Sequence, residues 1–128
     1  MLTAALLFLA AAQADVPEAR DAFRARQDDL ILLAGSLGTL HRLNQVCPGY
    51  GNVAVFRDRM QEVVNGERPI RATREAMIEA FNGGYNAAAQ QHVTCGRAAE
   101  TDLRQEALNA LSLVERLSAE MASPSPRR

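Results

Sequence analysis

Met77-Ile-Glu-Ala-Phe-Asn-Gly-Gly-Tyr-Asn-Ala-Ala-Ala-Gln-Gln-His-Val-Thr-Cys95 is the stretch on which the fold depends most. Its composition is helical at both ends, a pair of glycines precedes a tyrosine at its centre, and it ends at one of only two cysteines. The other cysteine, Cys47, ends a helical run in the first half of the chain. A bond between the two cysteines would fix the relative positions of two long helices, and the other segments can be arranged around that pair.

The size and charge of the chain restrict the classes of protein it can belong to. It has 128 residues, which is enough for one domain. The formal net charge is −1, and all 14 basic residues are arginine. Such a balance gives no overall field toward nucleic acid or anionic lipid. The arginines between Arg57 and Arg74 are interleaved with acidic residues, and tryptophan is absent, so we expect no nucleic-acid binding.

The first residues have the pattern of an export signal. Residues 1–14 carry no charge, centre on an apolar run and end in Ala-Gln-Ala, the small-x-small form of a signal-peptidase site. The run is shorter than the roughly 20 residues of a permanent membrane span. No basic residue precedes it, which leaves a buried N-terminal helix as the alternative. We predict a signal peptide over 1–14, a periplasmic helical domain over 15–121 with no stable membrane span after cleavage, and a flexible tail over 122–128.

Export determines how the two cysteines are interpreted. In an oxidising compartment they most simply form one disulfide, Cys47–Cys95. Loop-closure entropy for about fifty residues corresponds to a stabilisation of roughly 4 kcal/mol. A metal or redox pair is the alternative, but the chain has no C-x-x-C sequence and the cysteines lie far apart.

The spacing of apolar residues predicts four helices, at about 18–46, 53–65, 70 to the break at 95–96, and 98–121. The positions expected to be buried are Leu30, Leu33, Leu37, Leu40 and Leu43 or Asn44 in the first helix, Val53, Phe56, Met60, Val63 and Val64 in the second, Met77, Ile78, Phe81, Tyr85, Ala88 and His92 in the third, and Leu103, Ala107, Leu108, Leu111, Val114, Leu117 and Met121 in the fourth. Short connections between such helices predict an all-α bundle of about four helices, up-and-down or similar, linked by the disulfide.

Glycines mark further features of these helices. Gly35 and Gly38 lie on the apolar face of the first helix, where each costs about 1 kcal/mol relative to alanine, so close approach of another helix is expected. The pair Gly83-Gly84 predicts a kink or a helix in two pieces. Gly66 is expected to end the second helix, and Asn52 is expected to be its N-cap.

A small groove is the most informative candidate site. Backbone exposed by Gly83 and Gly84, beside Asn82 and Tyr85, would suit a peptide or a glycan. The alternative, which we favour, is that these glycines let another helix pack closely while the tyrosine hydroxyl finds an anchor.

The two histidines, His41 and His92, are candidates for the same end of the bundle. Two imidazoles alone make a weak metal site, and a disulfide removes the thiolates as ligands. The covalent haem attachment sequence is absent, which leaves only non-covalent haem ligation by a histidine with Met60 or Met77. Structural histidines are the favoured interpretation, and we predict no metal and no cofactor.

No set of catalytic residues stands out in the sequence. The serines lack a glycine-flanked nucleophile elbow, and the disulfide would occupy both cysteines. Glu75 and Glu79 lie one turn apart beside Arg71 and Arg74, an arrangement typical of surface ion pairs. We therefore predict that the protein is not an enzyme.

Three segments together resemble a known family. They are Leu33-Ala-Gly-Ser-Leu-Gly-Thr-Leu-His41 leading to Cys47, Phe56-Arg57 with Met60, and Phe81-Asn82-Gly83-Gly84-Tyr85 leading to Cys95. They are similar to a small family of exported alphaproteobacterial proteins of unknown function, with paired cysteines and a Phe-Asn-x-Gly-Tyr motif, over about residues 28–95. In that family the residue at the position of Phe56 is more often tryptophan, so this chain keeps an apolar side chain but lacks the indole N–H.

The resemblance implies a periplasmic helical protein with paired cysteines, and it implies no reaction or ligand. Taken with the export signal and the near-neutral charge, it favours a non-catalytic module that binds or regulates an envelope protein or a wall component. The alternative is a bundle that binds a small molecule, a metal or haem through His41, His92 and the groove at 82–85.

Overall fold

The computed structural model describes the backbone over residues 5–122 and the side chains over residues 16–120. It consists of four helices, α1 (Ala5–Val46), α2 (Val55–Glu67), α3 (Arg71–Gln91) and α4 (Arg97–Ala122), and the described residues contain no strand. The all-α prediction is therefore confirmed. No helix in the described part of the chain combines the length and apolar character that a membrane crossing requires.

The first helix begins earlier than predicted. It starts at Ala5, so Pro17 lies inside the helix and not in its first turn. The segment before Pro17 is rich in alanine and leucine, which are strong helix formers. Cleavage after residue 14 stays a prediction, and the predicted tail lies outside the described residues except for Ala122, which belongs to α4.

Contacts along α1 show the direction of α4. The hydroxyl of Ser36 donates to the backbone carbonyl of Glu106 at 3.5 Å, and Arg116 donates two hydrogen bonds to Asp29. Residue numbers on α4 therefore rise as those on α1 fall, so the two helices are antiparallel.

The α2 helix runs in the same direction as α4. The side chain of Asn44, near the end of α1, donates to the carbonyl of Asn52 just before α2, whereas Arg26 lower on α1 pairs with Glu67 at the end of α2. By contrast α3 is parallel to α1, because Gly35 faces Ala80 and Cys47 is bonded to Cys95. The predicted up-and-down order is confirmed.

The α1 helix is the centre of the bundle. Each of the other three helices packs against it, and its most extensive contact is with α3. The buried leucines of α1 are those predicted: Leu30, Leu33, Leu37, Leu40 and Leu43. The backbones of α2 and α3 make few or no close contacts with each other, and the same holds for α2 and α4. Open grooves run between the helices of both pairs.

Two glycines allow α1 and α3 to cross at backbone distance. A β-carbon on Gly38 would overlap the carbonyl group of Phe81, and one on Gly84 would overlap the carbonyl oxygen of Gly35 and lie 2.7 Å from the hydroxyl oxygen of Thr39. The sequence prediction that glycines permit close helix packing is confirmed. The predicted helix in two pieces is wrong, because α3 is one continuous helix through both glycines, packed along α1.

The disulfide predicted from the sequence is present. Cys47, one residue beyond α1, is bonded to Cys95, in the connection between α3 and α4, with a Cα–Cα distance of 5.1 Å. It therefore joins the two parallel helices at the same end of the bundle.

The second helix has different ends from those predicted. It begins at Val55, and the side chain of Asn52 accepts a hydrogen bond from the N–H of Ala54 at 2.8 Å without capping the helix itself. The helix continues past Gly66 to Glu67, and it ends where Arg68 adopts a left-handed conformation with φ 47°. The backbone N–H of Arg68 donates a hydrogen bond to the carbonyl of Val64, and this bond closes the last turn.

The apolar stripe predicted on α4 is partly wrong. Leu108, Leu111 and Val114 are exposed by 62%, 52% and 43%. The buried positions are Ala99, Leu103, Ala110, Leu113 and Leu117. Since α4 packs mainly on one helix, α1, only a narrow face can be covered, and the wide stripe leaves part of itself exposed. Similarly, Ile78 on α3 and Val53 before α2 are exposed, contrary to prediction.

Candidate functional site

The residues considered for one groove do not come together: five of them are divided among three places, and Gly83 lies in none of these. Tyr85 and Gly84 lie in the interface between α3 and α1, where His41 also lies. Asn82 lines an open groove between α2 and α3. His92 ends α3 and faces α4. Gly83 has no neighbouring group near the position of a β-carbon and packs against nothing.

A cluster of aromatic and amide groups surrounds His41. Its ring lies 5.8 Å from that of Phe81 and 5.6 Å from that of Tyr85, measured between centroids. The Tyr85 hydroxyl donates to the Oε1 atom of Gln45 at 2.8 Å, and the Nε2 atom of Gln45 lies 3.4 Å from Nε2 of His41. The guanidinium of Arg42 covers the tyrosine ring at 5.8 Å. The tyrosine anchor predicted from the sequence is thus present, on a glutamine of α1.

The environment of His41 favours its neutral form. The residue is 8% exposed, and its Nδ1 atom has no hydrogen-bond partner. Burial lowers the pKa of His41 from its usual 6.5, and the positive charge of Arg57 lowers it further, while the Val53 backbone and Asp58 act in the opposite direction. A neutral imidazole packed between two aromatic rings acts as part of the core.

His92 is held by a different helix. Its Nε2 atom lies 2.6 Å from a carboxylate oxygen of Asp102 on α4, and its side chain is 12% exposed. This contact joins the end of α3 to the start of α4 next to the disulfide. His41 and His92 therefore have separate partners and do not share a site.

The groove between α2 and α3 contains Asn82. Its floor is formed by Met60, Val64 and Phe81, and its volume is about 250 Å³. The exposed side chains of Gln61, Ile78 and Asn82 lie along its margins. The floor is apolar and the margins carry amide groups, a combination that suits a partner with both apolar and polar side chains.

Two arginines complete the lining of this groove. Arg57 has one weak ionic contact, with its chain neighbour Asp58 at 3.8 Å, and both side chains are more than half exposed. Arg74 forms no ion pair within residues 16–120. No carboxylate lines the groove, so it presents two positive charges around an apolar floor.

The residues considered as metal or haem ligands lie apart from one another. Among the described residues no three histidine, cysteine or acidic side chains come close enough to hold a metal ion. Of the two methionines considered as haem ligands, Met77 is fully buried in the core and Met60 lies in the floor of the α2–α3 groove. Neither histidine lines that groove.

The sequence analysis missed two polar residues that organise the bundle, Arg26 and Gln45, and it named a third, Asn44, only as a buried position without its hydrogen bonds. The guanidinium of Arg26 binds Glu67 on α2 and both Glu120 and the carbonyl of Leu117 on α4. Asn44, only 1% exposed, accepts hydrogen bonds from two N–H groups of the loop after α1 and donates to the carbonyl of Asn52. Gln45 holds Tyr85, as described above. Of the three, only Asn44 could have been recognised from the sequence, because it is a polar residue on the apolar face of α1.

Comparison with known proteins gives a family and nothing more specific. No curated protein and no solved structure matches the chain. The match to a family model covers residues 26–121, which include the second half of α1, all of α2 and α3, and α4 except for its last residue, Ala122. It thus extends beyond the segment of 28–95 on which the resemblance rested. The chain belongs to the family described as "Protein of unknown function (DUF2385)".

Proposed function

We propose that this protein is an exported, non-catalytic binding module that recognises a partner in the cell envelope. The disulfide supports export, since such bonds persist in oxidising compartments such as the periplasm. The alphaproteobacterial origin, the signal peptide over 1–14 and the Phe-Asn-x-Gly-Tyr motif as a family signature are part of this proposal.

The observation that carries the proposal is the open groove between α2 and α3. Both helices are fixed to α1, and the apolar side chains between them are left accessible beside two arginines with little ionic compensation. Exposed apolar surface with a polar margin is typical of protein-binding sites. Function as a binding surface explains why Ile78, exposed by 47%, is apolar.

Photo-cross-linking in intact cells tests the proposal. A photoreactive amino acid would replace Gln61 at the margin of the groove and, as the matched control, Gln105 on α4. We expect the photoreactive residue at position 61 to capture one defined envelope protein or wall fragment, and we expect this product in the periplasmic fraction of the cells only. Absence of any product from Gln61, or the same products from both positions, would contradict the proposal.

A second candidate function has its own observation. An open cavity of about 600 Å³ lies between the first half of α1 and the start of α3, with Phe23, Ile31 and Ile70 in its lining. Its size and apolar lining suit a small apolar molecule. Native mass spectrometry of protein purified from periplasm would test this function, because a retained mass that disappears in Phe23→Ser supports it. A ligand-free mass from periplasm would argue for the binding module instead.

A further inference from the structure

The groove between α2 and α3 has an arginine near each end, an arrangement that follows from the antiparallel order of the two helices. On α2 its lining residues are Arg57, Met60, Gln61 and Val64, and on α3 they are Arg74, Ile78, Phe81 and Asn82. Each set follows the spacing of three and four residues that defines one face of a helix. The groove is therefore a straight channel between two helix faces, about two turns long.

The two arginines lie at opposite ends of this channel. Arg57 is in the first turn of α2 and Arg74 is in the first turn of α3, and the two helices point in opposite directions. From Arg57 to Val64 is seven residues, or about 10 Å of helix at 1.5 Å per residue. The backbones of the two arginines are thus offset along the groove by about two helical turns, on the order of 10 Å, and Met60, Ile78 and Phe81 line the groove between them.

We infer that this channel binds a helix of a partner protein that carries two carboxylates two turns apart with apolar residues between them. A helix laid in an apolar groove is a common mode of recognition. On such a helix, residues i and i+7 are about 10.5 Å apart on the same face, and residues i+3 and i+4 lie between them. Carboxylates at i and i+7 would reach the two arginines, and apolar side chains at i+3 and i+4 would cover Ile78 and Phe81.

The charges of the groove favour an acidic helix over other partners. An acidic helix is complementary to a lining that contains two arginines and no carboxylate. A second copy of this chain would have to present two suitably spaced carboxylates with apolar residues between them on an exposed helix face. The inference rests on the proposed binding function and specifies its partner.

Binding of defined peptides to the full chain tests the inference. The probe is a fluorescein-labelled helical peptide with glutamates at i and i+7 and leucines at i+3 and i+4. One control peptide has the same composition with the glutamates at i and i+1, and another has lysines in place of the glutamates. We expect anisotropy to show binding of the first peptide, and at least tenfold weaker binding of both controls. The affinity should fall as salt is raised.

Variants of the protein identify the groove. Reversal of both groove arginines, R57E with R74E, should weaken binding at least tenfold. The matched control reverses two exposed arginines outside the groove, R59E with R71E, each of which pairs with a glutamate on its own helix, and should change binding less than threefold. Ile78→Ser should weaken binding, whereas Leu108→Ser on α4 should not. All six positions are exposed, and circular dichroism checks that each variant is folded.

Several results would overturn the inference. They are no binding of the first peptide, equal binding of the lysine or misspaced peptide, and an equal loss in the control arginine variant. Binding of phosphatidylglycerol vesicles that is lost in R57E with R74E would assign the groove to lipid headgroups. A dimer lost on Ile78→Ser, measured by sedimentation, would assign it to a second copy. If cross-linking from Gln61 persists in the R57E, R74E variant, the proposed binding function survives and the acidic helix does not.

Discussion

The backbone carbonyl of Phe81 occupies the space into which a β-carbon on Gly38 would project. The two residues belong to parallel helices, so the contact fixes both the distance between α1 and α3 and their register along the common axis. Gly84 makes the reciprocal contact from α3, against Gly35 and Thr39 of α1. At these two positions a side chain of any size would collide with the neighbouring helix.

Alanine at Gly38 should destabilise the protein by about 3 kcal/mol or more, because the obstructing atoms are backbone and cannot rotate away. Urea denaturation followed by circular dichroism would measure the change in the free energy of unfolding. Gly83→Ala is the matched control, since that position is helical and open. This substitution should raise the free energy of unfolding by about 0.5–1 kcal/mol. Equal stabilities of the two variants would show that α1 and α3 are not in backbone contact.

Removal of the disulfide by a double Cys47→Ala, Cys95→Ala substitution should lower the free energy of unfolding by about 4 kcal/mol. The cysteines are separated by 48 residues, and the cost is chiefly the greater freedom of the unfolded chain. Adding reductant should lower the free energy of unfolding of the wild type by the same amount and should leave that of the variant unchanged. A variant as stable as the wild type would mean that loop closure contributes little here.

His41 should make the protein less stable in mild acid. Its folded-state pKa is lowered, so below pH of about 6.5 the unfolded chain binds a proton that the folded chain does not. The stabilisation is therefore complete above that pH and is lost as pH falls below it. His41→Phe keeps an aromatic ring against Phe81 and Tyr85 and should remove this part of the pH dependence. Denaturation midpoints from pH 5 to 8 would test it, and parallel curves for the two proteins would contradict it.

Arg26→Ala should cost about 2 kcal/mol, because one guanidinium makes charge-assisted hydrogen bonds to α2 and to α4. Its side chain is 20% exposed, and its partners Glu67 and Glu120 are 25% and 37% exposed. Arg71→Ala removes a largely exposed pair within one helix and should cost no more than about 0.5 kcal/mol. Thermal melts of both variants would separate the two cases, and similar losses would show that the link between helices adds nothing.

Polar substitution of the exposed leucines of α4 should leave stability within about 0.5 kcal/mol of the wild type. Leu108→Gln and Leu111→Gln are the test variants, and Leu113→Ala, at a buried position, should cost about 2–5 kcal/mol. Chemical denaturation distinguishes the two faces. Destabilisation by Leu108→Gln as large as that by Leu113→Ala would mean that the stripe predicted from the sequence is buried after all.

Much of the architecture could be predicted because it depends on local pattern. The leucine spacing of α1, the cysteine pair and the short connections each indicate one arrangement, and together they predict the up-and-down order. The glycines of α1 and α3 also had a local signal, since glycine inside an apolar helical face needs a packing reason.

The failures share a different cause. Which part of a wide apolar stripe is buried depends on how many helices cover it, and the sequence of α4 does not record that α1 is its main packing partner. The groove at 82–85 with His41 and His92 was the interpretation that the sequence analysis did not favour, and it required side chains from α1 and α3 to converge. The structure turns Asn82 toward α2, Tyr85 toward α1 and His92 toward α4. Successive residues of a helix point about 100° apart, so a short motif rarely faces a single site.

Because α1 and α3 are parallel, the distance between the two cysteines depends on whether these helices have packed in the native register. A slip of one helical turn between the two helices would shift them by about 5.4 Å and would also drive side chains into the backbone contact at Gly38. The cysteines, whose Cα atoms are 5.1 Å apart in the native register, would then be poorly placed to bond. We therefore expect the disulfide to form in chains in which these glycines are already in contact, and the bond, once formed, to keep α3 from sliding along α1.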